Sequence, residues 1–320
     1  FELTEEQLQF MNENGYLVVN GLIEPELCDA VVREIFDVAN KLFGFQYDDE
    51  STWDNLCESG IIDIWHASTL YVLRQHPKLY SVFCQLLKTH KLCVSLDRVS
   101  IKHPARSDDE CIRNALLNSS VALHNDTNLW AWHPYFNEFQ AGVCLADCPK
   151  NGGGFFCIPK MHKRKALDEY KKKAESGAFG KNKTQSTKWP GKTFVTFEDH
   201  DLTRKNRIEV PLKKGDVVIW SIFLPHTGGF NCLEDYWRLH AYVRLMALEG
   251  PCTTPNQRAW AAKYQGIVRE SMQTGKRPER YSTVNRVYAD DSEDLELKTH
   301  QVPQLTPLGE KLFGIKHWDD

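Results

Sequence analysis

The chain has 320 residues, 42% hydrophobic and 26% charged, with a formal net charge of −4 and a sequence pI near 6.3. This is the make-up of an ordinary globular protein, and no apolar run approaches the roughly 18 residues that a bilayer span needs. A slightly acidic balance gives no general pull toward polyanions, so neither membrane nor nucleic acid is an expected partner.

The ten cysteines sit in apolar runs without dense pairing, which points to reduced thiols and a cytoplasmic setting. A removed targeting peptide stays open.

In chain order, "LTEEQLQFMNENGYLVV" places Thr4 three residues before Gln7 and a stop at Gly15, which predicts a capped helix turning into a strand. "EPELCDAVVREIFDVANKLFG" starts at Pro25, carries Leu27, Val31, Ile35, Val38 and Leu42 at helical spacing, and closes at Gly44. It predicts an amphipathic packing helix. "QYDDESTWDN" reads as loop, and residues 68–92 as a second helical region interrupted at Pro77. From Cys93 the texture changes to short β-rich runs bounded by Gly, Pro, Asn or Asp: "LCVSLDRVSIKHP", "EFQAGVCLADCP", "GGFFCIP", "RIEVPL", "GDVVIWSIFL" and "YWRLHAYVRLMAL". Many short strands with turn signals argue for a sandwich or jelly roll. A lysine-rich piece from residue 160 interrupts them and reads as a solvated insertion, with a lid over a pocket as the sharper reading. The expected organisation is one domain over 1–320. It has a mostly helical part at 1–92, a β core at 93–248 with an insertion at 160–208, and a C-terminal extension at 249–320 that ends in a short helix bracketed by Pro and Gly.

The chemistry begins at "LHNDTNLW". In a strand, residues two apart share a face, so His124 and Asp126 project together while Asn125 points away. Alone the pair is weak, since "HWD" recurs at 317–319. It gains weight from "KKGDVVIWSIFLPHTGGFN", where a turn at Gly215-Asp216 feeds an apolar strand that delivers His226. Two imidazoles and one carboxylate are the facial ligand set of non-haem iron(II) oxygenases, which leaves positions open for a cosubstrate and dioxygen. A 2-oxo acid cosubstrate with a second carboxylate needs a buried cation, and arginine's planar fork suits it. In "YWRLHAYVRL", Arg238, His240, Tyr242 and Arg244 fall on one face, and Trp237, Leu239, Ala241 and Val243 on the other. The polar face should line a pocket and the apolar face should meet helices. Arg238 is the expected clamp, with Arg244 in reserve.

The ordered set "LTEEQLQFMNENGYLVV", "LDRVSIKHP", "HNDTNLW", "LADCPKNGGGFFCIPKMHK", "VPLKKGDVVIW" and "LPHTGGFN" followed by Arg238 resembles the phytanoyl-CoA dioxygenase family over roughly residues 3–246. The resemblance implies a double-stranded β-helix (jelly roll, cupin-like) core packed against N- and C-terminal helices, a mainly β, α+β protein. It implies iron(II) on His124, Asp126 and His226, and 2-oxoglutarate on Arg238, with Lys102 and Thr227 as further contacts. It also implies dioxygen as co-reactant, ascorbate as an accessory reductant, and oxidative decarboxylation of 2-oxoglutarate to succinate and CO2, coupled to oxidation of an unactivated C–H bond of a small organic molecule. Hydroxylation is the commonest outcome; desaturation or oxidative ring closure, as in kainoid-type pathways, needs only another fate for the substrate radical.

Two places depart from the family. Pro159-Lys160-Met161-His162-Lys163 stands where Pro-Gly-Ser-His-Lys is usual, and Gly228 stands where a serine usually contacts the cosubstrate. Arg98, Trp130, Trp132, Tyr135 and Phe156 are candidate substrate contacts, and His103, Arg106 and Lys160 could meet an acidic, carboxylate-bearing substrate. The protein is expected to be a monomer or homodimer. Two rival readings are a structural zinc site on Cys144, Cys148, Cys157 and His162, and a jelly-roll binding protein without turnover.

Overall fold

The structure is a computed structural model that describes residues 1–320 apart from 57–58, 107–122, 128–137, 177–194, 197–204 and 279–295. It is a mixed α+β protein whose two larger sheets are antiparallel throughout. No helix among the described residues is long and apolar enough to cross a membrane.

Helix α1 (Glu5–Asn14) begins with the expected capping box of Thr4 and Gln7 and ends on Gly15. Helix α2 (Pro25–Phe43) also has the expected bounds. Its deepest stripe is Cys28, Val31, Ile35 and Ala39, whereas Leu27, Val38 and Leu42 are half-buried along its flank. The apolar face is thus rotated toward the small residues, which let the helix approach the sheet closely. The segment expected as loop contains a 3₁₀ turn (Glu50–Asn55), started by Asp49, whose carboxylate accepts from the Ser51 amide. Pro77 separates α3 (Ser68–Arg74) from α4 (Pro77–Leu87) as its missing N–H requires.

The six-stranded sheet runs β1 (Tyr16–Val19), β10 (Val217–Ser221), β6 (Phe139–Cys144), β12 (Arg238–Val243), β4 (Val99–Lys102), β2 (Ile61–Ile62). Both edge strands come from the first 62 residues, so the helical N-terminal part is stitched into the β core. The five-stranded sheet runs β8 (Val195–Thr196), β5 (His124–Asn125), β11 (His226–Gly228), β7 (Phe155–Cys157), β9 (Ile208–Val210). A pair of strands, β3 (Leu92–Val94) and β13 (Leu245–Ala247), completes the set. Within the lysine-rich insertion lie β8 and a helix, α5 (Arg164–Glu175).

Strand β10 shows why the sheets sit where they do. All five of its residues are buried. Val217 and Ile219 join the helix-side core with Val31, Ile35, Leu79 and Phe83, while Val218 and Trp220 point the other way. There they meet Cys144 of the same sheet and Phe155, Cys157 and Val210 of the second sheet. The two sheets therefore face each other across this second cluster. Strand β12 obeys the same alternation: Leu239, Ala241 and Val243 enter the helix-side core, as expected, which leaves Arg238, His240 and Tyr242 to the space between the sheets. Helices α6 (Pro255–Thr274) and α7 (Pro307–Leu312) add Tyr264, Val268 and Leu312 to that helix-side core. Each fully buried side chain of this kind contributes about 1.5–3 kcal/mol.

The turn into β10 depends on Gly215. It has φ +86°, and a Cβ there would collide with the Ile23 carbonyl, while the Gly215 carbonyl accepts from the Ile23 amide. Gly215→Ala is expected to cost about 1–3 kcal/mol, read as a lower urea midpoint without change in slope.

Candidate metal centre

The apolar strand expected to carry His226 stops at Ser221. The chain then crosses to the second sheet and re-enters as β11, where His226 pairs directly with His124 of β5 on one side and Cys157 of β7 on the other. Two imidazoles a hundred residues apart are thereby set side by side, ring centroids 4.7 Å apart. Asp126 follows β5 in a bend and completes the group: its Oδ1 lies 3.6 Å from His124 Nε2 and its Oδ2 3.4 Å from His226 Nε2. Asn125 points away, as the alternation predicts, and its amide donates to the Phe223 carbonyl at 2.6 Å.

Three ligand atoms at these separations fit a small divalent ion. Adjacent positions around a metal with bonds of roughly 2.1 Å lie about 3 Å apart, and the three ligand atoms, all within 4.8 Å of one another, would draw inward to reach them. Among the described residues, these three form the one set of His, Cys, Asp or Glu side chains that could hold a metal ion.

Supporting contacts set the orientation of each donor. His226 Nδ1 lies 2.8 Å from the Leu224 carbonyl, which can only accept, so the ring proton sits there. Nε2 is left as a lone pair, and the Trp220 indole N–H donates to it at 3.0 Å. The Phe155 ring stacks on the same imidazole, centroids 5.9 Å apart. Gln140 donates to Asp126 Oδ2 at 2.8 Å. Burial pushes the Asp126 carboxyl up, but the facing His226 and His124 imidazoles and the Gln140 amide outweigh it and hold the group below the usual carboxylate range. Neither Gln140 nor Trp220 is singled out by the sequence reading; the only signal is a polar residue inside the otherwise apolar β6.

Arg238 lies between the sheets, 3% exposed. Its guanidinium donates to the Ser100 hydroxyl and, at 3.2 Å, to Tyr242 Oη. No carboxylate pairs with it among the described residues. Arg244 lies beyond the end of β12, pairs with Glu138, and stands over the Trp260 ring. Lys102 is directly across from Arg238 in the ladder, and its ammonium donates to the Gly229 carbonyl at 2.6 Å.

Several expected contacts fall elsewhere. Thr227 pairs with Phe156 across β11 and β7, on the face opposite His226 and Phe155. The Thr227 hydroxyl therefore points away from Arg238, and Gly228 is the residue that lies against the guanidinium. Phe156 packs by Gly229 and under Arg207, so Phe155 takes the inward place expected of it. Arg98 is held by Asp63 at 3.6 Å and stands over Trp65. His103 stacks on Trp53, Arg106 is forked onto Asp54, and Lys160 is exposed at a turn after β7. Trp130, Trp132 and Tyr135 lie outside the described residues. The zinc alternative does not assemble. Cys144 and Cys148 donate to the Ala146 and Gly152 carbonyls, His162 lies on the Asn12 carbonyl, and burial pushes all three thiols up, Cys148 to about 11.

The protein-family model described as "Phytanoyl-CoA dioxygenase (PhyH)" matches residues 11–236. A curated Dictyostelium discoideum relative named for phytanoyl-CoA dioxygenase is 25% identical over 266 residues, 70% of each chain. Among solved structures, a hypothetical protein of Escherichia coli, JW0805, superposes with a TM-score of 0.64 at 14% identity, covering 98% of this chain and 82% of its own. The GlcNAc Inducible Gene 2 protein of Candida albicans gives a TM-score of 0.64 at 14% identity, covering 98% and 81%. At such identities the two structures speak for the fold alone.

The contacts around the ligands predict opposite effects on metal affinity. Gln140→Leu, which strips Asp126 of its supporting amide, is expected to weaken Co(II) binding about 10–100-fold. Trp220→Phe removes a bond that metal loading must break, so it is expected not to weaken binding. Calorimetric titration of the two variants against the wild type checks both.

Proposed function

We propose that this chain, which belongs to the phytanoyl-CoA dioxygenase family, is an iron(II)- and 2-oxoglutarate-dependent oxygenase acting on a C–H bond of a small organic molecule. The observation that carries the reading is the conjunction of the His124–Asp126–His226 group with a buried Arg238 that has no acidic partner among the described residues. A buried cation without a counter-ion is costly. An anionic cosubstrate reaching from the metal to Arg238 would supply one.

The two facing antiparallel sheets are read as a double-stranded β-helix, and 1–320 as one oxygenase domain. The helix-side core, which takes residues from α1, α2, α3, α4, α6 and α7, supports this. His124, Asp126 and His226 would hold the iron by two nitrogens and one oxygen. When bound, the iron with 2-oxoglutarate and dioxygen supplies C–H oxidation coupled to release of succinate and CO2. The protein's own part is placement. The Leu224 carbonyl holds the His226 ring proton on Nδ1 and so leaves the lone pair on Nε2, and Gln140 aims the Asp126 carboxylate. Ser100 and Tyr242 hold the guanidinium fork of Arg238 ready for the remote carboxylate of the cosubstrate, and Lys102 adds a second positive charge across the ladder. Phe155, Trp220 and Leu224 wall the group with apolar surface that keeps water out.

Incubated with Fe(II), 2-oxoglutarate, ascorbate and air, the protein is expected to release succinate, and His226→Ala to release none. Arg238→Leu should raise the KM for 2-oxoglutarate roughly 30-fold or more, since truncating one partner of a buried charge pair costs about 2 kcal/mol or more. Mass spectrometry of treated cell extract should find a product heavier by one oxygen or lighter by two hydrogens. Tight 2-oxoglutarate binding with no succinate from any extract would favour the non-catalytic binding protein.

A further inference from the structure

Three nitrogen atoms on the inward face of β12 have no hydrogen-bond partner among the described residues: Nε of Arg238 and both ring nitrogens of His240. His240 is 1% exposed. A buried polar side chain left unsatisfied costs as much as a lost hydrogen bond or more, and folds keep few of them. An imidazole with neither nitrogen used therefore needs a reason.

Its neighbours among the described residues do not serve it. Directly across the ladder from His240 are Ser100 on β4 and Cys144 on β6. The Ser100 hydroxyl already donates to the Gly60 carbonyl and accepts from Arg238. The Cys144 thiol donates to the Ala146 carbonyl. On the facing sheet, Gly228 lies against the Arg238 guanidinium and brings no side chain of its own. Burial first, then the cations of Arg238 and Lys102, hold the His240 imidazole well below its ordinary value. The ring is accordingly neutral, with one N–H to give and one lone pair. It stands two residues from Arg238 on the same strand face, so both side chains project into the same space between the sheets.

Resting on the oxygenase reading, we propose that His240 is the second contact for the remote carboxylate of the 2-oxo acid. One ring N–H donates to a carboxylate oxygen while Arg238 engages the same group. A neutral donor suits this place because it adds direction to the grip without crowding a third positive charge beside Arg238 and Lys102. The role is one of binding and positioning; no proton is transferred and no bond is made.

The test uses the full chain loaded with Zn(II), which binds without turnover. Calorimetry gives the Kd for 2-oxoglutarate and for 2-oxopentanoate, in which a methyl group replaces the remote carboxylate. His240→Leu is expected to weaken 2-oxoglutarate binding by about 10-fold or more, the worth of a hydrogen bond to a charged group, and to leave 2-oxopentanoate binding unchanged. His240→Asn, which keeps an N–H donor, should recover part of the loss. An equal loss for both acids, or no loss for 2-oxoglutarate, overturns the assignment and makes His240 a packing residue. Should the leucine variant fail to fold, ¹⁵N-imidazole resonances of the wild type decide. A His240 shift with 2-oxoglutarate and none with 2-oxopentanoate supports the contact, and a silent His240 overturns it. A wild type that binds neither acid overturns the oxygenase reading and this assignment together, whereas normal binding with an indifferent His240 overturns the assignment alone.

Discussion

The backbone pairing of His124 with His226 is the contact on which the rest of the structure depends. Neither residue carries a metal site alone. Each lies on a strand of only two or three residues, too short to be stable by itself. What holds the pair in register is the remainder of the five-stranded sheet, and what holds that sheet is its apolar inner face, pressed on Val218 and Trp220 of β10. Core packing and ligand geometry are therefore one problem. Trp220 belongs to both, with its ring in the inter-sheet cluster and its N–H on His226.

Charge is distributed to match. Near the ligands a half-buried carboxylate is surrounded by donors, and between the same sheets a buried guanidinium has hydroxyls for company but no acid among the described residues. A cation left without a counter-ion in a poorly polarisable interior is a standing demand for an anion. The hydroxyls of Ser100 and Tyr242 orient the fork without neutralising it, so the demand is not quenched by the protein itself.

Much of this was legible in the residues. The capping box at Thr4, the Pro25 and Gly44 bounds of α2, and the alternation of β12 all follow from local rules, and the structure keeps them. The ligand set was legible for the same reason, as residue types at strand spacing. Where the reading slipped, the cause was register or partnership, which depend on distant chain. Phe156 and Thr227 were each one position away from the inward face, and a period of two turns such a slip into the opposite side of the sheet. Leu27, Val38 and Leu42 fit helical spacing, yet the sheet chose the narrower stripe through Cys28 and Ala39. The cysteines that might have bound zinc are small apolar fillers between the sheets. Gln140 and Trp220 could not have been picked out, because their partners come from other strands.

One feature of the second sheet reaches further than its size suggests. The main chain of His124 and Asn125 is laddered on its outer side to Val195–Thr196, a two-residue strand from the lysine-rich segment. Insertions between strands generally tolerate change in length and sequence. Drift there would tug on the His124 imidazole through a pair of amides, so chains with the same three candidate ligands would differ in how firmly they hold a metal ion because of residues that never touch it.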